Sequence, residues 1–271
     1  MRVLATAAVC LLPGCTSTLL LEPVLTVSPY YVSYQLRGDV ALQTEPEGGG
    51  PLQDNPPRQL SEFGQEHHED DVGFRAEFGD GFAGLRVDYY RMDTGTATPG
   101  VLGSDWGNLL EGELVRMQTA MDEVRLSYVE PITRIETTFK GEDLTFDFAA
   151  GGEWAYRDMT LRAQTDDTER QQRVKILGET VSVAARIRTR WRDLTLDLDY
   201  ALCPNLTTRG DFGDINHDIE VRASYSIPLR DVTFFAGYRY SSLDAVGTTD
   251  KLAYDAALQI DGFQFGLTVS L

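Results

Sequence analysis

The feature that most constrains this chain is a strict alternation of apolar and polar residues, repeated in run after run. Tyr30, Val32, Tyr34 and Leu36 alternate with Tyr31, Ser33, Gln35 and Arg37. The same pattern recurs at Val72–Phe74–Ala76–Phe78, Ala83–Leu85–Val87–Tyr89 and Val124–Leu126–Tyr128. It continues at Leu144–Phe146–Phe148–Trp154, Val181–Val183–Ala185–Ile187–Trp191 and Leu194–Leu196–Leu198–Tyr200. Ile219–Val221–Ala223–Tyr225–Ile227, Val232–Phe234–Ala236–Tyr238–Tyr240 and Phe263–Phe265–Leu267–Val269–Leu271 complete it. Neighbouring side chains on a strand point to opposite faces, so each run predicts one strand with one apolar face, about ten in all. No helical period competes, and no window of about 18 apolar residues offers a membrane helix.

The connections alternate in length. Gly79-Asp80-Gly81, Arg192-Asp193 and Pro228-Leu229-Arg230-Asp231 have the composition of tight turns. Between them lie long polar stretches, read as loops, at residues 43–71, 93–110, 157–174, 203–215 and 243–251. Residues 130–143 are too long for a tight turn, so they form either a longer connection or one more hairpin. The expected fold is all-β, a single antiparallel up-and-down barrel of about ten strands, with eight or twelve as alternatives.

Alternation alone does not say which face is inside. A soluble barrel buries its apolar face, and a transmembrane barrel turns it outward. Gly73, Gly84, Gly151, Gly237 and Gly266 fall on the polar face, where a crowded lumen needs room and a solvated strand gains nothing. Aromatic residues recur on the apolar face near strand ends: Tyr89, Trp154, Tyr156, Tyr200, Tyr238, Tyr240 and Tyr254 toward the loops, Phe78, Tyr128 and Trp191 toward the turns. Such residues suit two interfacial girdles. The last strand runs to Leu271. With these features residues 30–271 resemble a small bacterial outer-membrane β-barrel protein. The resemblance implies residence in the cell outer membrane, contact with outer-membrane lipid and with the barrel-assembly machinery, and a monomer.

The N-terminus has the layout of a targeting segment: Arg2, an apolar stretch from Val3 to Leu12, then Leu12-Pro13-Gly14-Cys15. That tetrapeptide resembles a bacterial lipobox, which implies cleavage before Cys15 and a lipid attached to it. The expected organisation is a signal peptide at 1–14, a periplasmic linker at 15–29 and the barrel at 30–271. The alternative is an ordinary secretory signal. Cys10 and Cys15 lie in this region, so Cys203 is left without an intramolecular disulfide partner. A formal net charge of -18 argues against a nucleic-acid partner, because phosphate binding needs clustered Lys and Arg. Neither a cofactor nor a metal site is expected.

The polar face carries the most specific chemistry. Arg186, Arg188, Arg190 and Arg192 line one face of a single run. Asp197 and Asp199 lie on the polar face of the next run, and Asp147 and Glu153 on that of the preceding run, Leu144–Trp154. Opposed unlike charges on paired strands attract. In a narrow lumen they form a salt-bridged plug; the alternatives are an anion-selecting constriction that passes a small ion or solute, or a solvated face of a soluble sheet. The stretch 43–71 is acidic, with Glu45, Glu47, Asp54, Glu62, Glu66, Glu69, Asp70 and Asp71 against Arg58, and it also holds His67-His68. It suits a solvated loop, or a weak cation site.

Omptin proteases offer a catalytic comparison, since Asp70-Asp71 and His217-Asp218 resemble their acidic and His–Asp pairs. Neighbours on a strand face opposite ways, so neither pair can converge on one cleft, and no catalytic residues are assigned. The functional expectation is an outer-membrane barrel lipoprotein with a structural, adhesive or narrow-pore (porin-like) role. The alternatives are an omptin-like protease and a tethered soluble lipocalin-like carrier. One irregularity remains. Leu252, Tyr254, Ala256, Leu258 and Ile260 share one parity, while Phe263 onward share the other. If all face lipid, a β-bulge is expected at Asp261-Gly262, the alternative being a hairpin turn there.

Overall fold

The computed structural model describes residues 24–271, apart from 47–49, 66–68, 81, 95–97, 166–169, 205–208, 214 and 228–230. Cys15, His67 and His68 therefore lie outside the described residues. Ten long strands form the wall: β1 Val24–Leu42, β2 Glu69–Gly79, β3 Gly84–Asp93, β4 Leu114–Phe139, β5 Glu142–Thr165, β6 Gln171–Trp191, β7 Leu194–Cys203, β8 Asn216–Ser226, β9 Val232–Thr249 and β10 Leu252–Ser270. Each pairs antiparallel with the next, and β10 returns to β1, so the sheet closes. β1 begins inside the stretch read as linker.

The stagger of the ring sets its dimensions. From Gly79 the ladder partners run through Gly84, Val129, Gly151, Ala184, Ala201, Asp218, Ser241 and Ile260 to Leu36 on β1. Gly79 itself pairs directly with Val24. The circuit thus climbs twelve residues along β1, from Val24 to Leu36. For ten strands this gives a tilt of about 40° and a backbone radius of about 10 Å. Long side chains from opposite walls can meet at the centre of such a lumen.

The wall has two storeys of opposite polarity. In the lower storey, next to the tight turns and the described chain ends, apolar side chains point outward: Val72, Phe74 and Phe78 on β2, Leu85, Val87 and Tyr89 on β3, Phe263 and Phe265 on β10. About four outward positions per strand, each worth about 5 Å of height, make a belt of about 20 Å. Tyrosines close its upper rim and bond to the first polar row: Tyr89 to Asp122 at 2.9 Å, Tyr238 to Asp261 at 2.9 Å, Tyr200 to His217 at 2.9 Å.

Above that rim the alternation is reversed. Gln35, Arg37, Asp122, Arg162, Arg173 and Gln259 face outward, and Leu36, Met121, Met159, Leu161, Val174, Ile176 and Leu258 fill the inside. Two three-stranded sheets, β4–β5–β6 and β9–β10–β1, face each other across this core. β2, β3, β7 and β8 stop near the rim, and short pieces cover the gaps they leave: Arg58–Gln59 on β1, Gly100–Val101 on β4 and Arg209–Gly210 on β6. The 3-10 turn Leu60–Phe63 and Trp106 seal one side, with Phe63 and Trp106 edge to face at 5.0 Å and the Trp106 indole donating to Val40 O at 3.1 Å. On the other side Tyr254 and Thr249 donate to Lys175 O and Arg173 O, at 3.3 and 3.1 Å.

Four expectations change. The bulge at Asp261-Gly262 is not there: the β9–β10–β1 ladder is continuous through Tyr238↔Phe263↔Ser33 and Tyr240↔Asp261↔Gln35. Ile260 points inward at 1 % exposure and Phe263 outward at 51 %. The parity switch marks the height at which one straight strand passes from one storey to the other, and no chain reversal occurs. Tyr34, Leu36 and Tyr254 are buried inside for the same reason, whereas Tyr30 and Val32 point inward already at belt height, where the outward positions of β1 are Tyr31 and Ser33. The stretches 157–174 and 243–251 are largely strand, because a polar outer face in the upper storey reads as a loop by composition. Residues 130–143 are the ends of β4 and β5, which run on past the lower rim as a two-stranded tongue with one register shift between Pro131 and Thr133.

Candidate functional site: the charged lumen

The lower storey encloses a network of arginines and carboxylates at the height of the apolar belt. An alternating strand with an apolar outer face must turn its polar residues inward, so the belt and the network are two sides of one pattern. Arg75 of β2 donates to Asp88 of β3 and reaches across to Glu220 of β8, at 2.6 and 2.7 Å. Arg125 of β4 meets Asp88 at 3.0 Å and Asp218 of β8 at 3.1 Å. Glu123 of β4 accepts from Arg157 of β5 and from Arg239 of β9, both at 2.6 Å, and Arg239 also holds Asp218. Lower down, Arg86 of β3 bridges Glu77 at 2.5 Å and Asp199 of β7 at 2.8 Å.

These bonds run wall to wall as well as between neighbours. Arg75, Arg125 and Arg239 each join strands from opposite sides of the ring, so the network fills the cross-section. Glycine makes room for it: a Cβ on Gly73 would lie 2.3 Å from the ring of Tyr30, whose hydroxyl donates to Asp88. The void left among Arg86, Arg125, Glu153, Arg186 and Asp199 has a volume of about 20 Å³, room for about one water. Above it stands the packed apolar core of the upper storey.

The residues read from the sequence occupy the lower part of this network. Arg186 pairs with Asp199 and also donates to Phe82 O. Arg188 pairs with Asp197 at 2.6 Å, and Arg222 of β8 joins the same carboxylate at 3.2 Å. Glu153 lines the small void. Arg190 and Asp147 meet at 2.7 Å at the lower rim, where Arg134 also reaches Asp147. Arg192 is not in the lumen: β6 ends at Trp191, and Arg192 sits in the turn with φ 54°, exposed and paired with Glu142 at 2.8 Å.

Not read from the sequence as part of the lumen are Arg75, Arg86, Arg125, Arg157, Arg222 and Arg239, with Glu77, Asp88, Glu123 and Glu220; Asp218 enters the sequence reading only in the omptin-like pair. They stand mostly one or two to a strand, spread over six strands, so no row drew attention. Their signal was parity: all but Arg157, which opens a stretch read as a loop, share the polar face of a run already recognised.

The omptin-like pairs do not converge. Asp218 is held inside by Arg125 and Arg239, while His217 faces outward against Tyr200. Asp71 lies on the inward parity of β2 and Asp70 on the outward one, against Tyr31. In the acidic stretch 43–71, Glu62 pairs with Arg58 at 3.5 Å. Among the described residues no three His, Cys, Asp or Glu side chains gather as a metal site would require.

No family model matches the sequence, and neither does any curated protein. Three solved structures illustrate what the fold is similar to. The attachment invasion locus protein Ail of Yersinia pestis is 12% identical, with 88% of this chain and 98% of that chain covered at a TM-score of 0.25. A FadL homologue of Pseudomonas aeruginosa is 8% identical, with 92% and 90% covered at 0.29. OpdQ of Pseudomonas aeruginosa is 11% identical, with 92% and 98% covered at 0.18. At such scores the likeness carries nothing about function.

Proposed function

We propose that this chain is an outer-membrane barrel with a closed lumen, whose role is structural or adhesive and is exercised through the two-sheet head on its loop side. One observation carries the reading: the apolar outer belt and the buried ion network share the same height, and both give way at the same level to the reverse arrangement. An outward apolar face about 20 Å tall is costly in water and favourable in hydrocarbon. A head with polar outer and apolar inner faces suits water. The tight turns then lie on the periplasmic side and the head outside the cell.

Closure follows from two barriers in series. The ion pairs span the lumen, and pulling one partner out of such a network costs several kcal/mol. The apolar head core then blocks any path upward. A narrow pore needs a continuous wet route, and a lipocalin-like carrier needs an apolar cavity where this head has packed side chains such as Trp106 and Leu109.

The test is planar-bilayer recording on detergent-purified protein whose folded state is verified by heat-modifiable gel mobility. The expected result is insertion without channel steps. Stable ohmic steps from the folded protein would overturn the closed-lumen reading.

A further inference from the structure

The outer face of the head carries an arrangement that fold stability does not explain. Arg162 on β5 and Arg173 on β6 are direct cross-strand partners, both outward and both exposed. Like charges placed directly opposite destabilise a sheet, and this chain has a large excess of carboxylates from which a neutralising partner could have been drawn. Among the described residues neither arginine has a carboxylate at ion-pair distance. The Arg162 fork leans on Gln171 Oε1, and Arg173 donates to Thr160 Oγ1 at 3.3 Å. The nearby carboxylate Asp158 is held by Lys175 at 3.2 Å.

The two arginines line a groove of about 610 Å³ together with Gln118, Ala120, Thr160, Gln171 and the carboxylate residue Asp250. Its volume suits a small ligand. Its outward polar groups are the amides of Gln118 and Gln171, the Thr160 hydroxyl and the two guanidinium forks, with the single carboxylate of Asp250 beside them. Amides and hydroxyls exchange hydrogen bonds with sugar hydroxyls, and guanidinium forks bind phosphate or carboxylate in a bidentate manner. Arg162 stands four residues beyond Asp158 of the first polar row, hence about 10 Å above the belt.

From this placement we infer that the Arg162–Arg173 groove binds an anionic saccharide, the phosphorylated sugar portion of a glycolipid in the surrounding leaflet. The saccharide chemistry stands on the groove itself; the membrane source rests on the proposed outer-membrane reading. The groove faces sideways along the membrane plane, so a neighbouring lipid presents its sugars at the right height.

The experiment is calorimetry on the folded full-length protein in a zwitterionic detergent, with deacylated phosphorylated core oligosaccharide from lipopolysaccharide as the probe. Inorganic phosphate and a neutral dextran oligomer of similar size are compared with it. The expected result is binding of the oligosaccharide that weakens as salt is raised, by roughly tenfold in each of R162A and R173A, with heat-modifiable mobility retained. No binding at about 1 mM oligosaccharide, or undiminished binding by the double variant, overturns the inference. Phosphate binding as tightly as the oligosaccharide overturns the saccharide assignment. The assay needs no bilayer, so its failure leaves the membrane reading untouched, and failed insertion of a protein that binds would count against the membrane reading alone.

Discussion

At the scale of single residues, the lumen is held by carboxylates shared between arginines. Glu123 is the clearest case, buried and gripped by Arg157 and Arg239 from two sides. Arg239 is in turn almost fully enclosed and holds Asp218 as well. R239A would leave both acids short of a partner, and breaking a buried pair costs about 3–5 kcal/mol, less where water enters. Urea unfolding in detergent should show that loss. The double variant R239M/E123L should lose less than the sum of the two single changes, since the interaction is mutual. R192A, in its exposed turn, should change stability by no more than about 0.5 kcal/mol. Equal losses for R239A and R192A would contradict the buried network.

At the scale of elements, alternation made the ten strands legible, because each lower-storey run shows one apolar face between turn residues. What it hid was where strands end. β5, β6 and β9 extend well above the belt, but their outward residues there, such as Arg162, Arg173 and Asp244, give the composition of a loop. The β10 switch at Asp261-Gly262 was visible in the sequence yet was read as a defect, since a single environment along the strand was assumed. Gly262 does have a local cause: a Cβ there would lie 2.0 Å from Ser33 O. The tongue formed by the lower ends of β4 and β5 adds nothing to ring closure, since the ladder circuit is complete at Val129 and Gly151. Removing residues 136–145 and joining Ile135 to Phe146, which face each other across the ladder, with Asn-Gly should therefore leave a heat-modifiable barrel. Loss of that mobility would show the tongue to be part of the fold's foundation.

At the scale of the whole molecule, the chain is one sheet bent into two solutions of the same problem. Where the outer face is apolar, the charges are inside and pair with one another; where the outer face is polar, the apolar residues are inside and form a core. The site was legible only in part. The arginine row of β6 was conspicuous, while its partners across the ring needed the stagger of twelve residues to be seen. The most direct test of this account is a cysteine map along β10 in intact cells, made in a C203S background. Single cysteines at Ala257 and Gln259 should react with a water-soluble maleimide, those at Phe263 and Phe265 should not, and those at Leu258 and Ile260 should be shielded inside the head. Labelling at Phe263 and Phe265 equal to that at Ala257 and Gln259 would contradict the inversion and with it the membrane belt.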